Sequence, residues 1–208
     1  MNVVYLTESP ADNAALRILV RKLAVYPVTA VESLQLPSGW QAVIKALPTV
    51  IRHCHFHYAV DAIAVLLDSD QSTLHTEMHD LEADADCRMC TVVQTIERTL
   101  DSLPPRVDRP ALKFASGIAS PCIEAWLVSH NHQGISEHAW SRTASHNRPY
   151  TTSYLKTLAY GTDRPTLVLA TARMEQLMTE AVDSIDQLVN KFPIGLGKLA
   201  GAVRTWHA

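Results

Sequence analysis

The stretch "AIAVLLDSDQS", Ala62 to Ser72, runs through an unbroken apolar segment and ends in two carboxylates one residue apart, Asp68 and Asp70. A segment this short and this continuously apolar reads as a strand buried on both faces, as in a parallel sheet covered by helices. The chain thus uses its most strand-like segment to deliver two negative charges to one point.

The flanking sequence agrees. "NVVYL" near the start reads as a second buried strand that stops at Thr7-Glu8-Ser9-Pro10. A helix is expected next, with Ser9 as N-cap, Pro10 in its first position, and Ala15, Leu16, Leu19, Val20 and Leu23 at helical spacing. Residues 27 to 40 read as a weak strand and a loop, and "GWQAVIKALPTVIRHC" as a helix punctuated by Pro48. "DCRMCTVVQTIERTLDSL" is the next helix, "ALKFASGIA" a strand, and "SPCIEAWLVSH" a helix capped by Ser120 with Pro121 at its start. Further helices are expected over 153–159 and 166–190, and a short one at the end. Strand and helix patterns alternate, so the fold class is α/β with a mostly parallel central sheet and additional C-terminal helices. One domain is expected over 1–208, with a core at about 1–130 and a helical extension at about 150–208.

Composition narrows the function classes. Apolar residues make up 47% and charged residues 19% of 208, with 7 Gly and 11 Pro, the balance of a folded globular protein. The formal charge of -3 announces no nucleic-acid partner, so one would have to be met by a local basic patch or through metal ions. "MNVVYLTESP" has no basic n-region and no long apolar h-region, and no run reaches membrane-span length, so a cytoplasmic protein without a membrane partner is expected. In that compartment Cys54, Cys87, Cys90 and Cys122 are thiols or metal ligands rather than disulfides.

Four carboxylates stand at element ends: Glu8 after the first strand, Asp68 and Asp70 after the central one, and Glu124 at a helix start. In a parallel sheet the C-terminal strand ends share one edge, so these groups can converge on a hard cation such as Mg²⁺ or Mn²⁺. Asp and Ser also suit turns and helix N-termini, so a D-x-D alone is weak. Together, however, "TESPAD" (Glu8 to Asp12), "VLLDSD" and "SPCIEAWLVSH" resemble the Toprim fold of topoisomerases, primases and OLD-type nuclease domains. The last stretch is similar to small stand-alone Toprim-like bacterial proteins, including the RloB-like group associated with phage defence. The resemblance implies a Toprim-like three-layer domain that binds Mg²⁺ or Mn²⁺ and cleaves phosphodiester bonds. It implies Glu8 near the reacting phosphate as ligand or proton-transfer group, Asp68 and Asp70 as metal ligands, and Glu124 in the same cluster. Ser9 stands where that family usually places Gly. Lys156, in "YLKTLAYG", is either a basic residue aimed at transition-state charge or a surface lysine on an amphipathic helix.

"LHTEMHDLEADADCRMC" holds His75, His79, Cys87 and Cys90. H-x-x-x-H puts two imidazoles on one face of a helix and C-x-x-C converges two thiolates, so the set could close a structural Zn²⁺ site; the spacing is not that of a standard finger, and solvent-facing histidines with partly buried cysteines are the alternative. In "RHCHFH", His53, His55 and His57 would share one side if the segment were extended, as an exposed strand edge or a metal set. The G-x-S-x-G elbow, the P-loop, the dinucleotide fingerprint and the zinc-deaminase signature are absent from the sequence. The four Trp read as core or interface anchors. The expected function is a metal-dependent nuclease acting on DNA or RNA, an effector of anti-phage defence with a partner protein or a second copy of itself. The alternative is a catalytically inactive interaction module whose zinc loop holds a partner protein.

Overall fold

The computed structural model describes residues 1–31, 38–56, 59–107, 109–142 and 148–206. Four strands, β1 (Asn2–Thr7), β2 (Thr29–Ala30), β3 (Ala62–Asp68) and β4 (Lys113–Ala119), form one parallel sheet in the order β2-β1-β3-β4. The registers place Thr7 opposite Leu66 and Asp68 opposite Ala119, so β1 and β3 end side by side.

Strand alternation sorts the core into two layers. Val3, Tyr5, Ala64 and Leu66 face α1 (Pro10–Leu23), whereas Val4, Leu6, Ile63, Val65 and Leu67 face α2 (Trp40–Phe56) and α3 (Arg88–Asp101). Both faces are buried, which is why β3 reads as continuously apolar. The result is a three-layer α/β fold. The chain leaves β1 toward one face, into α1, and leaves β3 toward the other, into α3. The β1/β3 junction is thus the topological switch point, where an open α/β sheet has its crevice.

The remaining helices are α4 (Ile123–Val128), α5 (Glu137–Ser141), α6 (Thr152–Tyr160), α7 (Leu167–Ala181), α8 (Ile185–Lys191) and α9 (Gly195–Arg204). They extend the α1 layer, with Trp126, Met174, Met178, Phe192 and Leu199 in its core. The helix expected over 166–190 is broken by a 3₁₀ turn at Val182–Ser184, where the Ser184 hydroxyl donates to the Ala181 carbonyl. Local caps set α6: Thr151 Oγ1 accepts from the Tyr154 amide, and Gly161 closes the helix at φ 76°.

Two further helix expectations need correction. α2 continues through Phe56, because Val43, Leu47, Val50, Ile51 and Cys54 keep burying one helical stripe. His53 and His55 therefore sit on its last turn, not on an extended edge, and His55 is buried; His57 lies outside the described residues. α4 begins at Ile123 with Cys122 as N-cap, two residues later than the Ser120-Pro121 pair suggests.

α9 lies against β4 at close range. A Cβ on Gly195 would fall 2.1 Å from the Ile118 carbonyl oxygen, and one on Gly117 would fall 3.2 Å from Leu199 Cβ. The buried Glu137 carboxylate accepts from the amides of Ile194 (2.6 Å) and Gly195 (2.9 Å) at this helix start. Gly195→Ala is expected to destabilise the protein by about 2–3 kcal/mol, since backbone rather than a flexible side chain would have to yield. A denaturant midpoint unchanged from wild type would contradict that close packing.

Candidate functional site

Two constellations meet at the C-terminal edge of the sheet. The first is acidic. Glu8 follows β1, and its Oε1 accepts from the Asp68 amide at 2.9 Å, strapping the two strand ends together. Asp68 ends β3, and its Oδ1 accepts from the Ile123 amide at 3.0 Å. This explains the late start of α4: the first turn is capped across the sheet by Asp68, while the Pro121 carbonyl accepts from the Asp70 amide at 2.9 Å.

Asp70 has φ 45°, the left-handed region that only Gly, Asn and Asp enter readily. That turn aims its half-exposed carboxylate at Arg88, with Oδ2 2.9 Å from Nη1. Glu124 is only 4% exposed; Oε1 accepts from the Tyr160 hydroxyl at 3.0 Å, and Oε2 is buried without a hydrogen-bond partner among the described residues. The contrast with Glu137 is informative, because both oxygens of that buried carboxylate are satisfied by backbone amides.

Asp12 joins this group, although the sequence reading gave it no role beyond the motif. Ser9 caps α1 with ordinary extended backbone (φ -145°), so no glycine is needed there. Its Oγ accepts from the Asp12 amide and donates to Asp12 Oδ2 at 2.8 Å. Burial, then the charges of Glu124 and Glu8, push the Asp12 carboxyl up to about 7, against the Ser9 hydroxyl and Lys156, which lower it. Burial drives Asp68 well above the usual carboxylate range, reinforced by Asp12, Glu124, Glu8 and Asp70. Burial also raises Glu8, opposed by the amides of Asp68 and Trp40 and by Arg88. Lys156, on α6, is half-buried and close enough to act on Asp12.

Buried carboxylates such as Asp12 and Asp68, raised by burial and by their acidic neighbours, are unfavourable as a structural device. The same oxygens, with one left unsatisfied in the interior, are what a hard cation requires. These oxygens are of the hard type that Mg²⁺ or Mn²⁺ takes, while the described residues whose ligand atoms converge closely enough to hold an ion are those of the second constellation.

The second constellation is the knuckle. His75, His79, Cys87 and Cys90 each offer a ligand atom, and these lie within 4.8 Å of one another, so the group can hold a metal ion. The expected H-x-x-x-H helix does not form: His75 precedes a 3₁₀ turn over Glu77–Asp80 and His79 lies within it. The rings nonetheless meet edge to face at 5.5 Å. His75 Nδ1 lies 3.5 Å from Cys87 Sγ and 3.7 Å from Cys90 Sγ. A tetrahedral zinc with ordinary Zn–N and Zn–S bonds sets its N and S ligands about 3.6 Å apart.

The outer atoms of both rings point at carboxylates. His75 Nε2 is 3.0 Å from Asp80 Oδ1 and His79 Nε2 is 3.7 Å from Asp84 Oδ2. Nε2 of His75 also lies 2.9 Å from the Lys198 ammonium, so it faces both a donor and the Asp80 acceptor; ligation of a metal through Nδ1 would place the ring proton on Nε2, and a carboxylate behind a ligating imidazole is the usual support for such a site. His79 Nδ1 is buried with no hydrogen-bond partner among the described residues. Burial and Lys198 hold His75 below its ordinary pKa, and burial pushes the Cys87 thiol up to about 11. Lys198, on α9, grips both Asp80 oxygens at 2.7 and 2.6 Å, tying this loop to the last helix.

Arg88 joins the two constellations, and the sequence reading missed it. It sits between Cys87 and Cys90, yet its Nη1 donates to the Asp68 carbonyl and lies 3.5 Å from Glu8 Oε1. Its guanidinium stacks over Trp40, 4.8 Å from the ring centroid. Its place inside C-x-x-C was the available signal. A cavity of about 230 Å³ beside the knuckle, lined by His75, Met89, Ile118, Glu137 and Gly195 among others, includes none of the acidic-edge carboxylates.

All four cysteines are free and buried, and among the described residues no helix is long and apolar enough to cross a membrane. No family model matches the chain, and no curated protein or solved structure is similar to it.

Proposed function

We propose that the protein is a Mg²⁺- or Mn²⁺-dependent phosphodiesterase that cleaves DNA or RNA at the acidic edge, with Zn²⁺ in the knuckle as a structural ion. The observation that carries this reading is the gathering of Glu8, Asp12, Asp68, Asp70 and Glu124 at the β1/β3 switch point, with one Glu124 oxygen buried and unsatisfied. The motif resemblance to Toprim nucleases supports the same chemistry.

A divalent ion bound there supplies charge neutralisation at the phosphate and a more acidic water. The chain's own residues do the rest. Asp68 and Glu124 are held by the Ile123 amide and the Tyr160 hydroxyl, so their free oxygens are fixed in direction. Glu8, whose proton affinity burial raises, is placed at the β1 end to accept and return a proton. Lys156 contributes positive charge on the α6 side, where the phosphate charge develops. In the knuckle four protein ligands leave no open position, so zinc there pins the loop and performs no chemistry. Free thiols around such a site suit the cytoplasm. An anti-phage effector role, with a partner protein or a second copy as regulator, completes the proposal.

A second reading is an inactive interaction module whose knuckle loop holds a partner protein. One observation favours it: Met78 and Leu81, between the two ligand pairs, stand 67% and 84% exposed. Cleavage separates the two. Wild-type protein incubated with plasmid, linear DNA and RNA in Mg²⁺ or Mn²⁺ is expected to cut at least one, and Glu8→Gln to lose at least about 10²-fold. Equal cutting by both proteins, or none by folded wild type on any substrate, would overturn the nuclease reading.

A further inference from the structure

The loop that carries the knuckle has an outer face that neither constellation uses. Between Glu77 and Asp86 the chain places five carboxylates and no lysine or arginine, in a protein whose whole formal charge is only -3. Two of the five are taken inward. Asp80 is gripped by Lys198 and faces His75, and Asp84 accepts from the Asp86 amide at 2.7 Å and faces His79. Glu77, Glu82 and Asp86 are exposed, and their side chains take no part in those ties.

Set among these carboxylates are the exposed side chains of Met78 and Leu81. They share one side of the 3₁₀ turn, because the Leu81 amide donates to the Met78 carbonyl at 3.1 Å and side chains three residues apart eclipse in such a turn. His79, between them, turns its ring the other way, into the knuckle, at 15% exposure. The turn is thus fixed from inside and bare outside. The Glu82 amide also donates to the Met78 carbonyl at 2.9 Å, and the Thr73 amide donates to the Asp86 carbonyl at 3.2 Å, closing the neck of the loop. A tip held this way has little freedom left to lose on docking, which lets two apolar side chains act as anchors. Methionine suits that task, since its unbranched thioether adapts to the surface it meets.

We propose that this tip docks a cationic segment of a partner protein: Met78 and Leu81 pack against an apolar patch on it, while lysines and arginines around that patch face Glu77, Glu82 and Asp86. Charge decides the class of partner. Such a rim repels a nucleic-acid backbone, and two copies of the chain meeting tip to tip would oppose like charges. The proposal rests on the second reading only for its premise that the knuckle loop holds a partner protein, and it stands whether or not the acidic edge cleaves. Zinc in the knuckle keeps the tip in shape and touches no partner.

The probe is an amphipathic peptide of leucine and lysine. Its controls are a leucine/glutamate peptide of the same pattern, a serine/lysine peptide of the same charge, and duplex DNA. Zinc-loaded protein with isotope-labelled methionine methyl groups is titrated with each, the Met78 signal being identified by its loss in Met78→Leu, and affinities are read from the anisotropy of dye-labelled peptide. Wild type is expected to bind the leucine/lysine peptide at least about 10-fold more tightly than either control peptide, with the Met78 signal shifted, and DNA is expected to leave that signal in place. Met78→Ser with Leu81→Ser should lower the affinity at least about 10-fold. Glu77→Gln with Glu82→Gln should lower it at least about 3-fold and flatten its salt dependence. All four side chains are exposed, so both variants should melt with wild type. Equal affinity for the leucine/glutamate peptide, undiminished affinity in Met78→Ser with Leu81→Ser, or a Met78 shift caused by DNA would overturn the cationic partner. Failure of every peptide to move the Met78 signal would instead remove the partner-holding loop itself.

Discussion

Asp12→Asn is expected to stabilise the protein above neutral pH and, in the same molecule, to abolish metal-dependent cleavage. The Asp12 carboxyl is raised to about 7 by burial first and by the neighbouring carboxylates second. In the unfolded chain the same group titrates near 4, at roughly its reference value. The folded state therefore binds this proton more tightly. Its contribution to stability is fully present below about pH 4 and is lost as pH rises through about 7. Asparagine keeps the shape and can still accept from the Ser9 hydroxyl, but it carries no charge to bury. Melting temperatures without added Mg²⁺ or Mn²⁺ should then match at pH 4 and differ at pH 8, with the variant higher by roughly 5–10 °C for a gain of about 2–4 kcal/mol. Cleavage should fall at least about 10²-fold, because an amide is a poor ligand for a hard cation beside two carboxylates. Coincident melting curves at pH 8 would show that neither burial nor the neighbouring carboxylates raise the Asp12 carboxyl in the folded protein.

Removal of zinc from the knuckle is the second large effect. Between Asp70 and Cys87 the chain forms only a short 3₁₀ turn, and its buried polar atoms include His79 Nδ1 with no protein partner among the described residues. Without an ion the loop has little to offset its conformational entropy. Protein purified without chelator is expected to carry about one zinc per chain, and a strong chelator, or Cys87→Ser with Cys90→Ser, to lower the melting temperature by roughly 10 °C, equivalent to about 4 kcal/mol. Zinc below about a tenth of an equivalent, with no shift on chelation, would dismiss the ion. A shift on chelation also predicts the loss of Arg88 from Glu8 and Asp70, visible as quenching or dequenching of Trp40, against which it stacks.

How far the sequence could be read followed from how local each determinant is. β1, β3 and α1 were legible because apolar runs and a Ser-Pro cap act within a few residues. The start of α4 was misplaced because its first-turn amide is capped by Asp68, 55 positions earlier. A strand reading of the histidines before β3 failed because one buried helical stripe outweighed their alternation. Within the site, Glu8, Asp68, Asp70 and Glu124 were found as charges at element ends, and the His/Cys group as ligand types at close spacing. Asp12 and Arg88 were not found. One looks like ordinary first-turn acid in a helix and the other like a spacer inside C-x-x-C; only the β1/β3 register and the Trp40 ring bring them to the edge.

The glycine contacts beneath α9 have a consequence for how the protein is made. β4 leaves the ribosome long before Gly195, and until then the strip of sheet around Gly117 and Ile118 has no helix to lie under. The nascent chain can pair its strands early, yet it carries a bare apolar face that is prone to aggregation until α9 covers it. Docking of α9 also brings Lys198 to Asp80, so the act that closes this face also fixes the carboxylate behind the His75 ring. The loop that carries His75 and His79 therefore gains this tie only once α9 has formed and docked.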